Sequence, residues 1–206
     1  MMSRVLTLLV AVLATGCASL LAGKPDPRDR FERFNRSVFG FNQGVDKHIA
    51  QPVARGYVKV TPAPIRAGVS NFFANLGYPI VIVNDVLQAK PGPLVKDSAR
   101  FAVNTTVGIG GLFDPATKLG LESHDEDFGQ TLGYWGMPTG PYIVLPFLGP
   151  SDARDLVGRV GDYFSSPPTY VDDATLRWSL RGVDLLDKRA GTLDAGDIMN
   201  RAFDPY

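Results

Sequence analysis

Cysteine is almost missing from this chain: its 206 residues include one, Cys17. An internal disulfide is therefore excluded, although exported proteins commonly pair their thiols. Histidine is scarce too, with only His48 and His124. A zinc centre lacks enough soft ligands, and a Ser–His–Asp arrangement has few bases to choose from. There is no Gly-x-Ser-x-Gly elbow and no Lys-Ser/Thr completing a phosphate loop. Net charge is also lacking, since 21 cationic side chains balance 21 anionic ones. That leaves no basic footprint for nucleic acid. No apolar run reaches the length of a spanning helix. The expectation is a protein with no catalytic residue, no metal, no cofactor and no nucleic-acid partner.

What is present is a folding composition. Apolar residues make up 45% and charged residues 20%, which places the chain among folded rather than disordered sequences. The N-terminus has a layout of its own. Arg4 is followed by the short apolar run Val5 to Leu13, then Ala14-Thr15-Gly16-Cys17. A positive start, an apolar stretch and small residues before a cut define a signal peptide. The last four residues resemble the lipobox of bacterial lipoproteins, with Ala14 where leucine is usual and Leu13 one step earlier. The plainer alternative is a secretory signal with an incidental thiol. The lone cysteine sits where acylation requires it, which favours Cys17 as the lipid-modified residue. Each buried CH₂ of an acyl chain contributes about 0.8 kcal/mol, so several chains anchor without a spanning helix. In the sorting pattern of enteric lipoproteins Asp after the cysteine retains the protein at the inner membrane. Ala18 therefore implies the outer membrane, on its periplasmic side.

Residues 1–16 are thus read as signal peptide, 17–25 as lipidated tether, 26–190 as one helical domain and 191–206 as a loose C-terminal tail. A first helix opens at Asp26 or Asp29, carries Phe31, Phe34, Val38, Phe41, Val45 and Ile49 on one face, and ends at Pro52. A second stripe, Ile65 to Leu76, ends at Gly77, and Pro79 opens a third helix reaching Ala89. A fourth runs from about Leu94 to Val107, with Leu94, Val95, Ala99, Ala102 and Val103 facing inward. Gly108, Gly110 and Gly111 read as a helix stop rather than a nucleotide loop. A short helix follows near Ala116–Leu119. Ser151 caps a helix that Pro167-Pro168 breaks, and the last helix spans Asp173 to about Ala190.

Three features could carry function. His124-Asp125-Glu126-Asp127 is either a weak cation site or, more simply, a set of caps and loop bonds. Asn71, Asn75, Asn84 and Asn104 lie on otherwise apolar helices. They could line a polar passage, or bond backbone in the core. Trp135 to Pro150 is the most unusual stretch, with Gly136, Pro138, Gly140, Pro141, Pro146 and Gly149 punctuating Tyr142 to Leu145. It is either a buried plug or an apolar hairpin near a membrane interface. Glycines bracket a proline-stiffened core, which suits a movable gate.

Longer motifs resemble the MlaA (VacJ) lipoproteins: Phe31-x-x-Phe34-Asn35-Arg36, Asn84-Asp85-x-Leu87-Gln88, Gly110-Gly111-Leu112-Phe113-Asp114, Glu126-Asp127-Phe128-Gly129-Gln130-Thr131-Leu132-Gly133, and Gly140-Pro141-Tyr142-x-Val144-Leu145-Pro146 with Gly149-Pro150. The likeness spans about residues 26–170. It implies a mainly α, ring-like monotopic bundle of amphipathic helices with a Gly/Pro-rich hairpin loop, lying in the periplasmic leaflet of the outer membrane. It further implies removal of misplaced phospholipid from the outer leaflet, passage through an amphipathic channel to a periplasmic carrier, and work beside a trimeric porin. A structural, porin-docking lipoprotein that moves no lipid is the alternative.

Overall fold

A computed structural model describes residues 29–199 and 206; Cys17, the leader and Asp26 lie outside the described residues. The described residues are mainly helical. Helix α1 spans Glu32–Val45, runs through a π-helical turn at Asp46–Ala50, and continues as α2, Gln51–Val60. Asp29 marks the entry: its Oδ1 accepts from the Phe31 N–H and from the Asn35 amide, each at 2.9 Å. Pro52 does not stop the helix as expected. It falls in the first turn of α2, where its missing N–H removes little, and the preceding π turn shifts the hydrogen-bonding register.

Helix α3, Ala63–Leu87, is the spine of the molecule. At 25 residues it is about 37 Å long. The two helices expected on either side of Gly77 are therefore one. Gly77 never takes a left-handed conformation, and Pro79 sits inside the helix. Tyr78, Val81, Asn84 and Asp85 bury around and beyond these positions, so packing outweighs one lost backbone bond. The helix ends at Gln88, with Ala89 at φ 53°. Long as it is, no described helix is apolar enough over sufficient length to cross a membrane.

Helix α4, Pro91–Thr106, packs back along α3. A turned segment leads to α5, Pro115–Lys118, and a loop to α6, Phe128–Tyr134. The expected hairpin is then formed by β1, Tyr142–Leu145, and β2, Gly149–Asp152. The strands are antiparallel, with Tyr142 opposite Asp152 and Leu145 opposite Gly149. Helix α7 covers Ala153–Ser165, and its cap is Asp152, whose side chain accepts from the Asp155 N–H at 2.9 Å. Ser151, expected in that role, is a buried strand residue. A 3₁₀ turn at Pro167–Tyr170 leads to α8, Ala174–Gly191, close to the expected bounds and capped by Asp173. The segment after Gly191, expected to be loose, forms α9 over Leu193–Met199. Helices α6 and α7 cross closely at glycine: a Cβ on Gly158 would lie 2.4 Å from the Gly129 nitrogen.

Burial runs opposite to a water-soluble bundle. Among the described residues the interior includes Asn35, Gln51, Asn75, Asn84, Asp85, Gln88, Asp97, Arg100, Asn104 and Thr131. The aromatic face of α1 is outside, with Phe31, Phe34 and Phe41 exposed. On α4 the expectation holds only in part: Asp97, Arg100 and Asn104 are buried, Leu94, Ala99 and Val103 are half-buried, Ala102 is exposed and Val95 is 68% exposed. The physical reason is the medium. An apolar surface this broad suits contact with acyl chains, and many of the polar groups then bond one another inside. The fold is mainly α with a hairpin between α6 and α7, as the sequence implied.

Candidate functional site: an amphipathic cleft and a docked hairpin

Three interior networks hold the frame. In the first, Arg100 Nη2 donates to Asp114 at 2.6 Å, and Nη1 donates to Thr117 Oγ1 at 2.9 Å and to the Leu121 carbonyl. Asn104 donates to Asp114 at 3.0 Å. Burial pushes the Asp114 carboxyl up, but the Thr117 side chain and N–H, Asn104 and Arg100 outweigh it and hold it at about 2. In the second, Thr131 donates to Asn84 at 2.6 Å and accepts from Gln88 at 3.0 Å. Glu126 takes Gln88 at 2.8 Å and Lys90 at 2.7 Å.

The third is a pair of wholly buried carboxyls, Asp85 and Asp97. His124 Nδ1 lies 3.2 Å from Asp97. Burial first, then the charge and hydrogen bond of Asp97 and the charge of Glu126, raise Asp85 to about 6, with Lys90 opposing. A raised carboxyl holds its proton more tightly when folded. The stability it contributes is complete below about 3.8 and is lost as pH rises through about 6. Asp85→Asn should flatten that slope and stabilise the protein at pH 8 by on the order of 1–2 kcal/mol. Parallel denaturation curves for the two proteins between pH 4 and 8 would show the idea wrong.

The residues singled out in sequence fall into two groups. Asn71 donates to the Leu112 carbonyl and Asn75 to Thr105, while Asn84 and Asn104 belong to the networks above. Their amides hold helices together. Of the tetrad, Asp127 caps α6 and Glu126 joins the second network. Among the described residues no three His, Cys, Asp or Glu side chains are grouped to hold a metal.

The hairpin residues form one unit. Tyr142 and Leu145 lie on β1, and Pro146 begins the turn, where Phe147 has φ 65° and Gly149 φ 78°. Gly136, Pro138, Gly140 and Pro141 form the exposed connector from α6. Val144 is wholly buried, while the tip residues Phe147 and Leu148 are 73% and 59% exposed. The hairpin is stitched to α1. Asn35 Oδ1 accepts from the Val144 N–H at 2.8 Å, and Asn42 both donates to the Leu145 carbonyl and accepts from the Phe147 N–H. Sequence reasoning missed both asparagines, though a spacing of seven places them on one helix face.

Tyr206 touches both elements. Its ring lies 4.4 Å from the Arg36 guanidinium and meets Phe39 and Tyr142 edge-on, and its hydroxyl donates to Asp29. Burial first, then Asp29, pushes the phenol well above its ordinary range.

Two cavities flank α3. One of about 350 Å³ lies against α2, α8 and α9, and most of its polar side chains bond within the protein. Asp187 accepts from Tyr57 and Ser70, and Arg66 donates to the Val58 and Thr61 carbonyls. The other, about 340 Å³, is a cleft between α3, α7 and α8. Phe73, Leu76, Ile80 and Leu180 give it apolar walls, while Arg159, Arg181 and Lys188 bring positive charge to the same space. A cleft of this size with mixed lining suits an amphiphile.

Outward apolar helices, a polar interior and an amphipathic cleft are the features of a protein suited to a membrane interface and to lipid-like ligands. The comparisons agree. The family model described as MlaA lipoprotein matches residues 27–206. The Escherichia coli K12 protein named intermembrane phospholipid transport system lipoprotein MlaA is 36% identical over 200 residues, 94% of this chain and 78% of its own. The Haemophilus influenzae protein of the same name is 34% identical, over 97% of this chain and 82% of its own. A solved structure described as the structural basis for maintenance of bacterial outer membrane lipid asymmetry superposes with TM-score 0.76 at 35% identity, over 86% of this chain and 91% of that one. The chain belongs to the MlaA lipoprotein family.

Proposed function

We propose that this chain is the lipoprotein of an intermembrane phospholipid transport system, anchored through Cys17 on the periplasmic side of the outer membrane. It takes phospholipid misplaced in the outer leaflet, passes it through the amphipathic cleft and delivers it to a periplasmic carrier, working beside a trimeric porin. The observation that carries this reading is the cleft itself, set into a protein whose apolar residues face outward. A purely structural docking lipoprotein has no use for charged side chains inside an apolar-walled space. No bond is made or broken in the substrate on this reading, so the residues bind, shield and release.

A strain lacking the gene tests it. Surface labelling of phosphatidylethanolamine with an amine reagent that does not cross the membrane should rise in that strain, and the wild-type gene should return it to normal. Cys17→Ala should neither incorporate labelled palmitate nor restore the surface. Unchanged labelling in the deletion strain would leave only the docking reading, and palmitate on the Cys17→Ala protein would remove the anchor.

A further inference from the structure

The cleft between α3, α7 and α8 has a charge balance that is not neutral once its internal partners are assigned. Lys188 is paired with Asp184 at 2.9 Å. The Asp162 carboxylate accepts from the Phe128 N–H at 2.9 Å and is reached by the Asn84 amide at 3.5 Å. Arg159 makes no hydrogen bond or ion pair among the described residues, and only its field reaches Asp162. Arg181 spends one donor on Thr169, at 3.2 Å. Its guanidinium lies over the rings of Tyr163, at 5.2 Å, and Trp178, at 5.7 Å. Both acids of the cleft thus already accept hydrogen bonds, three cations face two anions, and Arg159 and Arg181 keep donors to spare.

The geometry points to this cleft as a headgroup station in which Arg159 and Arg181 hold the lipid phosphate and favour phospholipids of net negative charge over zwitterionic ones. The inference rests on the phospholipid reading above and adds a preference to it. Guanidinium groups grip phosphate oxygens through paired, charge-assisted N–H bonds. Stacking on Tyr163 and Trp178 fixes Arg181 before the ligand arrives, so little side-chain freedom is lost on binding. A zwitterionic lipid brings an ammonium group that needs an acceptor, and Asp162 and Asp184 already have donors. A phosphatidylglycerol headgroup brings hydroxyls instead and leaves the second guanidinium uncontested. Phe73, Leu76, Ile80 and Leu180 receive the glycerol backbone and the first acyl methylenes, which separates a lipid from free phosphate.

The test uses the full lipidated protein in a nonionic detergent, with a fluorescent phosphatidylglycerol as probe. Unlabelled phosphatidylglycerol, phosphatidylethanolamine and sodium phosphate compete with it. Wild type should be displaced by phosphatidylglycerol at about a tenth of the phosphatidylethanolamine concentration, and by phosphate only far above either. Arg159→Gln with Arg181→Gln should bring the two lipids to within about twofold while lipid is still bound. Arg159→Lys should keep the preference in reduced form, and Lys96→Gln, an exposed charge on α4, should leave it unchanged. Arg159 holds nothing in the fold, so its single variants remain folded even if the double one does not.

Equal competition by the two lipids on wild type, or a preference that survives Arg159→Gln, overturns the inference and leaves phospholipid passage standing. Phosphate competing as well as lipid makes this a free-phosphate site and overturns it too. A probe that binds no variant and not wild type overturns the passage reading itself.

Discussion

Arg100→Leu is expected to lower stability by roughly 3–5 kcal/mol, the usual cost of removing one partner from a buried ion pair. In a chain of this size that lowers the melting temperature in detergent by roughly 10 °C. Arg100 is 6% exposed and is the one donor shared by Asp114, Thr117 and the Leu121 carbonyl. Without it Asp114 is left partly buried with its charge uncompensated, and the loop leading to α6 loses its tie to α4. The pH response should change with it. The Asp114 carboxyl, held at about 2, contributes stability that is present above about 3.8 and lost as pH falls through about 2. In Arg100→Leu that contribution shrinks, so the variant should show a shallower stability loss on acidification. Val95→Ser, on the same helix but facing out, should change stability in detergent by less than about 0.5 kcal/mol. If the leucine at position 100 is tolerated and the serine at 95 is not, the inside-out reading of α4 fails.

That pair of residues also shows where the sequence was legible. Helix positions followed from three-and-four spacing, and the hairpin from its glycine and proline punctuation. The direction of burial on α4 did not follow. Leu94, Val95, Ala99, Ala102 and Val103 form a sound stripe, but a stripe says which residues share a face, not which medium meets it. In the structure Val95 and Ala102 of that stripe face out, Leu94, Ala99 and Val103 are half-buried, and Asp97, Arg100 and Asn104 turn in. The helix end at Gly77 was misplaced for a related reason. A local stop signal is worth a few kcal/mol at most, and packing by Tyr78, Val81 and Asn84 on α3 overrides it. The cleft was not legible at all. Arg159 and Arg181 sit on separate helices, and only the crossing of α7 and α8 over α3 brings them to one space.

The hairpin is expected to gate lipid passage, and loosening it should change transport without unfolding the protein. Its tip presents Phe147 and Leu148 to the surroundings, with Phe41 of α1 against Phe147 at 5.2 Å. The Asn42 side chain bonds the Leu145 carbonyl and the Phe147 N–H, at 2.9 and 2.8 Å. Asn42→Leu removes both bonds, about 1–3 kcal/mol of docking energy. A shift of that size raises the undocked population by a factor of roughly 5 to 150. Gly140→Val acts at the other end. Gly140 has φ 75° and a Cβ there would meet the Ala153 Cβ at 2.9 Å, so the β-branched side chain strains the connector and resists the docked position. The two variants should therefore shift the hairpin in the same direction by unrelated means. Surface labelling of phosphatidylethanolamine should move the same way in both, with helical content and lipidation unchanged. Asn35→Leu, which breaks the buried anchor at Val144, should instead lower stability. Should Asn42→Leu and Gly140→Val fold, reach the membrane and clear phospholipid at the normal rate, the hairpin is a fixed structural loop and the passage has no gate there.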